Sequence, residues 1–97
     1  MTRVLHRLAE HDLESAFEFY RQTGSDKVAL RLLAEFERAV ELLESNPGLG
    51  TPTSANRRSY PLKKFPYSLI YKPVEAGVRI LVVRHHRQEP GYGGDRS

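Results

Sequence analysis

The stretch that decides the fold runs from residue 57 to residue 87 and reads RRSYPLKKFPYSLIYKPVEAGVRILVVRHHR. Two of its segments, 67–71 and 78–83, are rich in β-branched and aromatic residues, which favour β-strands. The loop between them, 73–77, has a glycine near its end and the length of a hairpin connection. Residues 58–64 form a third candidate strand. The segment contains a proline, which is typical of an edge strand rather than a central one. We therefore predict three successive antiparallel strands.

Two amphipathic helices are predicted ahead of these strands. The first helix begins at about residue 8 or 9, and its apolar face consists of Leu13, Ala16, Phe17 and Tyr20. It ends at Gly24, because glycine tolerates the left-handed conformation that often follows a helix. The second runs from an N-cap at residue 25 or 26 to Asn46, with this apolar stripe: Ala29, Leu32, Leu33, Phe36, Val40 and Leu43. The short turn between the helices requires a nearly antiparallel hairpin.

The whole chain is predicted to form one domain, residues 1–97, of the α+β class. A short N-terminal strand at 3–6 and the antiparallel helical hairpin pack on one face of a mainly antiparallel sheet, in two layers, and leave the other face open. Residues 48–56 are predicted to be a loop. The sequence after Arg87, QEPGYGGDRS, cannot bury a face of its own, so we expect a mobile glycine-rich tail from about residue 88.

Composition excludes several classes of protein. The chain has no cysteine, which excludes a disulfide scaffold and thiolate chemistry. No apolar run approaches the length of a membrane span, and the N-terminus lacks the pattern of a signal peptide. We therefore expect a cytoplasmic protein without a membrane partner.

The formal net charge of +3 conceals a division along the chain. Residues 1–46 carry six basic and nine acidic side chains, whereas residues 57–87 carry eight basic and one acidic. This division predicts a basic functional face for an anionic partner, although solubility alone is an alternative explanation. The face is predicted to comprise Arg57, Arg58, Lys63, Lys64, Arg84 and Arg87.

Three pieces of sequence together closely resemble the RelE/ParE superfamily of type II toxins, and most of all its ParE-type, plasmid-stabilisation branch. They are NPGLGTP after the long helix, RRSYPLKKFPYSLIY, and ILVVRHHRQEPGY. The resemblance covers nearly the whole chain and implies the same order of elements. It also implies a toxin, without a cofactor, that a cognate antitoxin holds inactive in a complex.

The superfamily contains two activities, and the sequence must indicate which of them this chain has. RelE-like members cleave messenger RNA on the ribosome without a metal, whereas ParE-like members inhibit DNA gyrase. Metal-free cleavage needs a base, an acid and cations for the phosphorane. If the chain is a nuclease, alignment with the RelE pattern and the strand ends give the catalytic candidates His86, Arg84, Arg87, Lys63 and Tyr92.

Ser68 favours the ParE-like activity. RelE-like nucleases usually carry, after the tyrosine of this motif, an arginine that contacts phosphate, and here Tyr67 is followed by Ser68. Losing one preorganised charge costs about 10² to 10³ in rate. We therefore expect a toxin that binds gyrase or another topoisomerase. A RelE-like ribosome-dependent mRNA endonuclease is the alternative, and a non-toxic basic nucleic-acid-binding module is the third.

The two adjacent histidines are expected to have separate roles. Successive side chains of a strand point to opposite faces, so His85 and His86 cannot both line one site unless the strand has ended. A metal site is not expected, because no third ligand falls at a useful spacing. Three tyrosines are expected to pack in the core or on the sheet rather than stack on bases: Tyr60, Tyr67 and Tyr71.

Overall fold

The chain forms two helices on a five-stranded sheet. A computed structural model describes residues 2–75 and 77–97, and it describes their side chains from residue 5 onward. In chain order the elements are β1 (Thr2–Leu5), α1 (Arg7–Thr23), α2 (Asp26–Ser45), β2 (Thr51–Pro52), β3 (Arg58–Pro61), β4 (Tyr67–Val74) and β5 (Gly77–His85). The strand order is β1-β5-β4-β3-β2, with β1 parallel to β5 and the other neighbours antiparallel. The predicted two-layer α+β architecture is confirmed.

The helix α1 begins at Arg7, one or two residues earlier than its apolar pattern predicts, because His6 caps it. The His6 Nδ1 accepts a hydrogen bond from the backbone N–H of Leu8 at 3.1 Å. At the other end, the prediction of a left-handed glycine is wrong, since Gly24 has a φ of −122°. Glycine is favoured there because a side chain has little room: a Cβ atom would lie 3.0 Å from the carbonyl oxygen of Tyr20.

The helix α2 supplies most of the helical half of the core. Its N-cap is Ser25, as predicted, with Oγ accepting from the backbone N–H of Val28 at 3.2 Å. The residues that α2 buries against the sheet are Ala29, Leu32, Phe36, Ala39, Val40 and Leu43. Leu33, which the stripe also included, is only half-buried. No helix in the described part of the chain is long and apolar enough to span a membrane.

The strands differ in length from the prediction. β3 ends at Pro61, so Lys63 and Lys64 lie in the loop before β4 rather than on a strand, and Lys64 adopts a positive φ of 67°. β4 continues through Pro73 to Val74. The β3 register ends opposite Tyr71, so the missing N–H of Pro73 interrupts no ladder with β3. The two-residue strand β2 forms within the segment predicted as a loop.

Tyr71 fixes the loop that follows α2. Its ring is fully buried, and its hydroxyl donates to the carbonyl oxygen of Pro47 at 2.7 Å while accepting from the backbone N–H of Gly50 at 2.8 Å. A Cβ atom at Gly50 would lie 2.8 Å from the Tyr71 hydroxyl, so this position requires glycine. Tyr71 thus binds the NPGLG segment to β4 at both Pro47 and Gly50, and the prediction that Tyr71 packs in the core is confirmed.

The sheet face opposite the helices is partly covered, which the prediction of an open face missed. Val82 pairs with Ile70 on that face and is fully buried. Gly93, with a φ of 75°, lies against it, because a Cβ atom there would be 2.6 Å from Val82 Cγ2. The glycines of the tail therefore allow the chain to approach β5 closely.

Replacing Phe36 by alanine should lower the free energy of unfolding by about 3–5 kcal/mol, because the ring is almost fully buried and leaves a cavity. Chemical denaturation monitored by circular dichroism measures this change. Leu33→Ala on the same helix should cost distinctly less, since Leu33 is half-exposed. Equal losses in the two variants would mean that the buried face of α2 is assigned wrongly.

Candidate functional site

Two arginines of the predicted basic face donate to backbone carbonyls. Arg58 donates to the carbonyl oxygens of Gly48 at 3.0 Å and Gly50 at 2.7 Å. Arg57, whose exposed fraction is 9%, donates to three carbonyl oxygens in the segment 93–96. Both guanidinium groups therefore hold loops against the sheet.

Other cations line an open groove between α2 and the β3–β4 loop. Lys63 and Lys64 are exposed on the loop side, and Arg31 lies on the helix side. Two aromatic rings, Tyr20 and Phe65, pack edge to face within the groove, with ring centroids 5.3 Å apart. We call this feature the basic groove, and it extends the basic surface from the sheet onto α2.

The basic groove contains one acidic side chain, Glu35. Its carboxylate pairs with Arg38 at 2.6 Å and accepts the backbone N–H of Lys63 at 2.7 Å. The hydrogen bond from Arg38 is the main reason that the pKa of Glu35 is lowered, and the pKa of Arg38 is raised in return. Glu35 thus fixes the β3–β4 loop to α2 and positions the two lysines at the groove's edge.

His86 lies beside this loop, at the end of β5. Its Nε2 is 3.0 Å from Ser68 Oγ, and its backbone N–H donates to the carbonyl oxygen of Pro66 at 2.8 Å. Arg84, on the same face as Ser68, donates to the carbonyl oxygen of Gln88 at 2.8 Å. The β3–β4 loop and the turn after β5 are therefore joined at one end of the sheet.

His85 faces the opposite side, as the alternation of the strand predicts. Its ring packs edge to face on Tyr67, with centroids 4.9 Å apart, and its Nδ1 accepts the backbone N–H of Arg87 at 3.0 Å. Burial is the main cause that lowers the pKa of His85, and neighbouring cations add to it, Arg87 most of all. We therefore assign a neutral imidazole with its proton on Nε2 near pH 7.

Tyr92 belongs to a buried polar cluster on the helix side. Its hydroxyl donates to Asp12 Oδ1 at 2.6 Å, and Arg96 Nη1 lies 2.6 Å from Asp12 Oδ2. The side chains of Asp12 and Arg96 are 5% and 7% exposed. The guanidinium also lies over the Tyr92 ring, 5.0 Å from its centroid. We call these three residues the Asp12 cluster.

The Asp12 cluster also forms hydrogen bonds with backbone groups at the edge of β5 that β1 does not cover. β1 pairs with β5 only as far as Ile80, and beyond it Asp12 accepts the N–H of Val83 at 3.1 Å while Arg96 donates to the carbonyl of Leu81 at 2.9 Å. Residues 92–96 are thereby anchored to the domain. The prediction of a mobile tail from about residue 88 overlooked this buried ion pair.

The five residues considered for RNA cleavage do not converge on one site. Tyr92 lies with Tyr67 and His85 on the helix side of the sheet, whereas His86 bonds to Ser68 on the other side. The Tyr92 hydroxyl is engaged by Asp12. Arg87 is exposed on the side of Tyr92, Lys63 is exposed on the loop beside α2, and Arg84 is bound to a carbonyl. In the described part of the chain, no group of three His, Asp or Glu side chains could hold a metal ion.

Sequence reasoning missed Asp12 and Arg96. In the sequence, Asp12 is one of several acidic residues near the start of α1, where negative charge suits the helix dipole. One signal was present, because Asp12 lies three residues after Ala9 and four before Ala16, on the buried stripe of α1. A charge on a buried stripe needs a partner. Nothing in the tail's composition identifies that partner as Arg96.

Comparisons with known proteins agree with this fold. The family model described as "ParE toxin of type II toxin-antitoxin system, parDE" matches residues 4–90. The chain belongs to the ParE toxin family. It is 32% identical over 93 residues to "Toxin ParE2" of Mycobacterium tuberculosis, covering 93% of this chain and 88% of that protein. A solved structure titled "Chromosomal ParDE TA system from P. aeruginosa" has a TM-score of 0.76 at 23% identity, covering 88% of this chain and 95% of the other.

Membership of this family confirms the prediction made from the three sequence pieces. The chain is the toxin component of a type II toxin-antitoxin module, and its partner is an antitoxin. The likeness to the solved structure confirms the α+β fold, with two helices packed on the sheet.

Replacing Arg96 by methionine should lower the free energy of unfolding by about 3–5 kcal/mol, because it leaves the Asp12 carboxylate buried without its cation. Urea denaturation of the folded chain measures the loss. The control is Arg21→Met, which removes the exposed ion pair with Glu18 and should leave the midpoint unchanged. Similar midpoints for the two variants would contradict a structural role for the Asp12 cluster.

Proposed function

We propose that this ParE toxin inhibits growth in the cytoplasm by binding DNA gyrase or another topoisomerase, and that it does not cleave RNA. The observation that carries the proposal is the separation of Tyr92 from His86. An acid and a base that act on one phosphodiester must both lie within hydrogen-bond reach of it. Here the Tyr92 hydroxyl is held by Asp12 on one side of the sheet, and His86 bonds to Ser68 on the other.

The surroundings of His86 support the same conclusion. A serine hydroxyl occupies the position beside it, and a neutral hydroxyl stabilises a phosphorane less than a cation does. The guanidinium of Arg84 donates to the carbonyl of Gln88, so it is not free to turn toward a phosphate without losing that bond. The end of β5 is better suited to contact a protein surface than to catalyse a reaction.

The contact surface we propose comprises Lys63, Lys64 and Arg87. These side chains are exposed, and the bond from His86 to Pro66 keeps the β3–β4 loop next to the turn after β5. Arg84 holds the turn after β5 through the carbonyl of Gln88, whereas Arg57 and Arg58 hold the segment 93–96 and the loop after α2. An acidic patch on the target is the complementary chemistry.

For the antitoxin, we propose an extended acidic segment that crosses the helical hairpin and the sheet through the basic groove. Arg31, Lys63 and Lys64 offer positive charge along this path, and Tyr20 and Phe65 offer apolar surface. Folding of a disordered segment on such a surface is a common mode of recognition. A segment bound there would cover two cations of the proposed target surface, which explains how binding neutralises the toxin.

His86→Gln should leave toxicity and inhibition of gyrase supercoiling nearly unchanged, because glutamine keeps a polar side chain but cannot transfer a proton near neutral pH. A double variant, Lys63→Gln with Lys64→Gln, should weaken inhibition, and the matched control Lys27→Gln should not. Supercoiling by purified gyrase and cleavage of ribosome-bound mRNA are measured side by side. If the chain cleaves mRNA and His86→Gln lowers that rate by about 10² to 10⁴, the proposal is wrong.

Raising the salt concentration should slow association of the toxin with its antitoxin more than it accelerates dissociation, because the basic groove steers an acidic segment. Stopped-flow fluorescence or surface plasmon resonance gives both rate constants. The variant Arg31→Gln should reduce the salt dependence of association. Rate constants that do not respond to salt would refute the electrostatic part of the proposal.

A further inference from the structure

A cavity of about 470 Å³ lies between α1 and the end of β5, on the side of the sheet opposite His86. Its inner wall is apolar, because Ala16, Tyr67 and Val83 are buried and line it. Phe19 stands at its rim with an exposed fraction of 54%. The exposed ring therefore extends the apolar wall of the cavity to the surface of the protein.

Polar groups converge on the same cavity. His11, Ser15 and Arg87 line it, and in residues 2–75 and 77–97 none of these three side chains makes a hydrogen bond. Asp12 lines it too, but Arg96 compensates its charge at 2.6 Å. The cavity therefore combines an apolar interior with an uncompensated positive charge from Arg87 and the polar side chains of His11 and Ser15.

Backbone groups of β5 beside the cavity are already hydrogen-bonded within the chain. The N–H of Val83 donates to Asp12, the N–H of His85 donates to Gln88 Oε1 at 2.8 Å, and Arg96 binds the carbonyl of Leu81. A partner strand added to this edge would have to displace these bonds. Side chains, and not a backbone ladder, must recognise whatever enters the cavity.

We propose that the cavity binds an apolar side chain of a partner polypeptide that carries a carboxylate on the neighbouring residue. The apolar side chain would fill the space between Ala16, Phe19 and Tyr67, and the carboxylate would pair with Arg87. The ring of Phe19 continues the apolar surface beyond the cavity, where a polypeptide covers it and a small acid does not. The proposal goes beyond the choice of toxin target and does not depend on it.

The test titrates the ¹⁵N-labelled full chain with the dipeptide Ac-Phe-Asp-NH₂ and follows its amide signals by NMR. Signals of the α1 segment 11–19 and of Arg87 should shift together and saturate. Ac-Phe-Asn-NH₂, which lacks the carboxylate, and Ac-Ala-Asp-NH₂, which lacks the ring, should each bind about tenfold more weakly. Free 3-phenylpropionate represents a small acid and should bind more weakly than Ac-Phe-Asp-NH₂.

Two surface variants keep the test independent of folding. Arg87→Gln should abolish the preference for aspartate over asparagine, and Phe19→Ala should weaken both phenylalanine peptides. The control Lys72→Gln removes the same charge from the other face of the sheet and should change nothing. The proposal fails if the aspartate and asparagine peptides bind equally to the unmodified chain. It also fails if 3-phenylpropionate binds as tightly as the dipeptide, which would indicate a small-molecule site.

Discussion

The buried ion pair between Asp12 and Arg96 connects parts of the molecule that would otherwise be independent. It joins the first helix to the last residues of the chain, and both partners also bond to the exposed edge of β5. Removing two charges from water is costly, and it is tolerated only where hydrogen bonds satisfy the remaining polar atoms. Val83, Leu81 and Tyr92 supply those bonds, so the pair, the edge and the tail form one unit.

That unit also supports the proposal that the chain does not cleave RNA. Tyr92 is the residue that a RelE-like reaction would need close to His86, and the Asp12 cluster holds it on the other side of the sheet. On the face of His86 the neighbouring side chains are Ser68 and Arg84, and Arg84 donates to a backbone carbonyl. On this proposal, the position of a single tyrosine within the fold distinguishes a surface for binding from a site for catalysis.

Much of the fold could be predicted from periodicity, because the two helices and the strands β4 and β5 carry strong local patterns. The N-cap at Ser25 and the burial of Phe36 and Tyr71 follow from the same patterns. The role of the arginines could not be predicted. A count of charges treats Arg57 and Lys63 alike, yet Arg57 is buried on carbonyl oxygens 36 to 39 residues away and Lys63 is exposed. Contacts between residues that far apart in the chain cannot be predicted from local sequence patterns.

The spacing of the Asp12–Arg96 pair has a consequence for the kinetics of folding. The two residues are 84 positions apart, so closing the loop between them costs more entropy than any turn in the helical hairpin. We expect the hairpin and the β4–β5 pair to form first and the ion pair to close late, after the strands that it borders are in place. An interaction that forms after the transition state acts on the unfolding rate rather than on the folding rate. With this order of events, loss of the ion pair would shorten the lifetime of the folded toxin and leave its folding rate nearly unchanged.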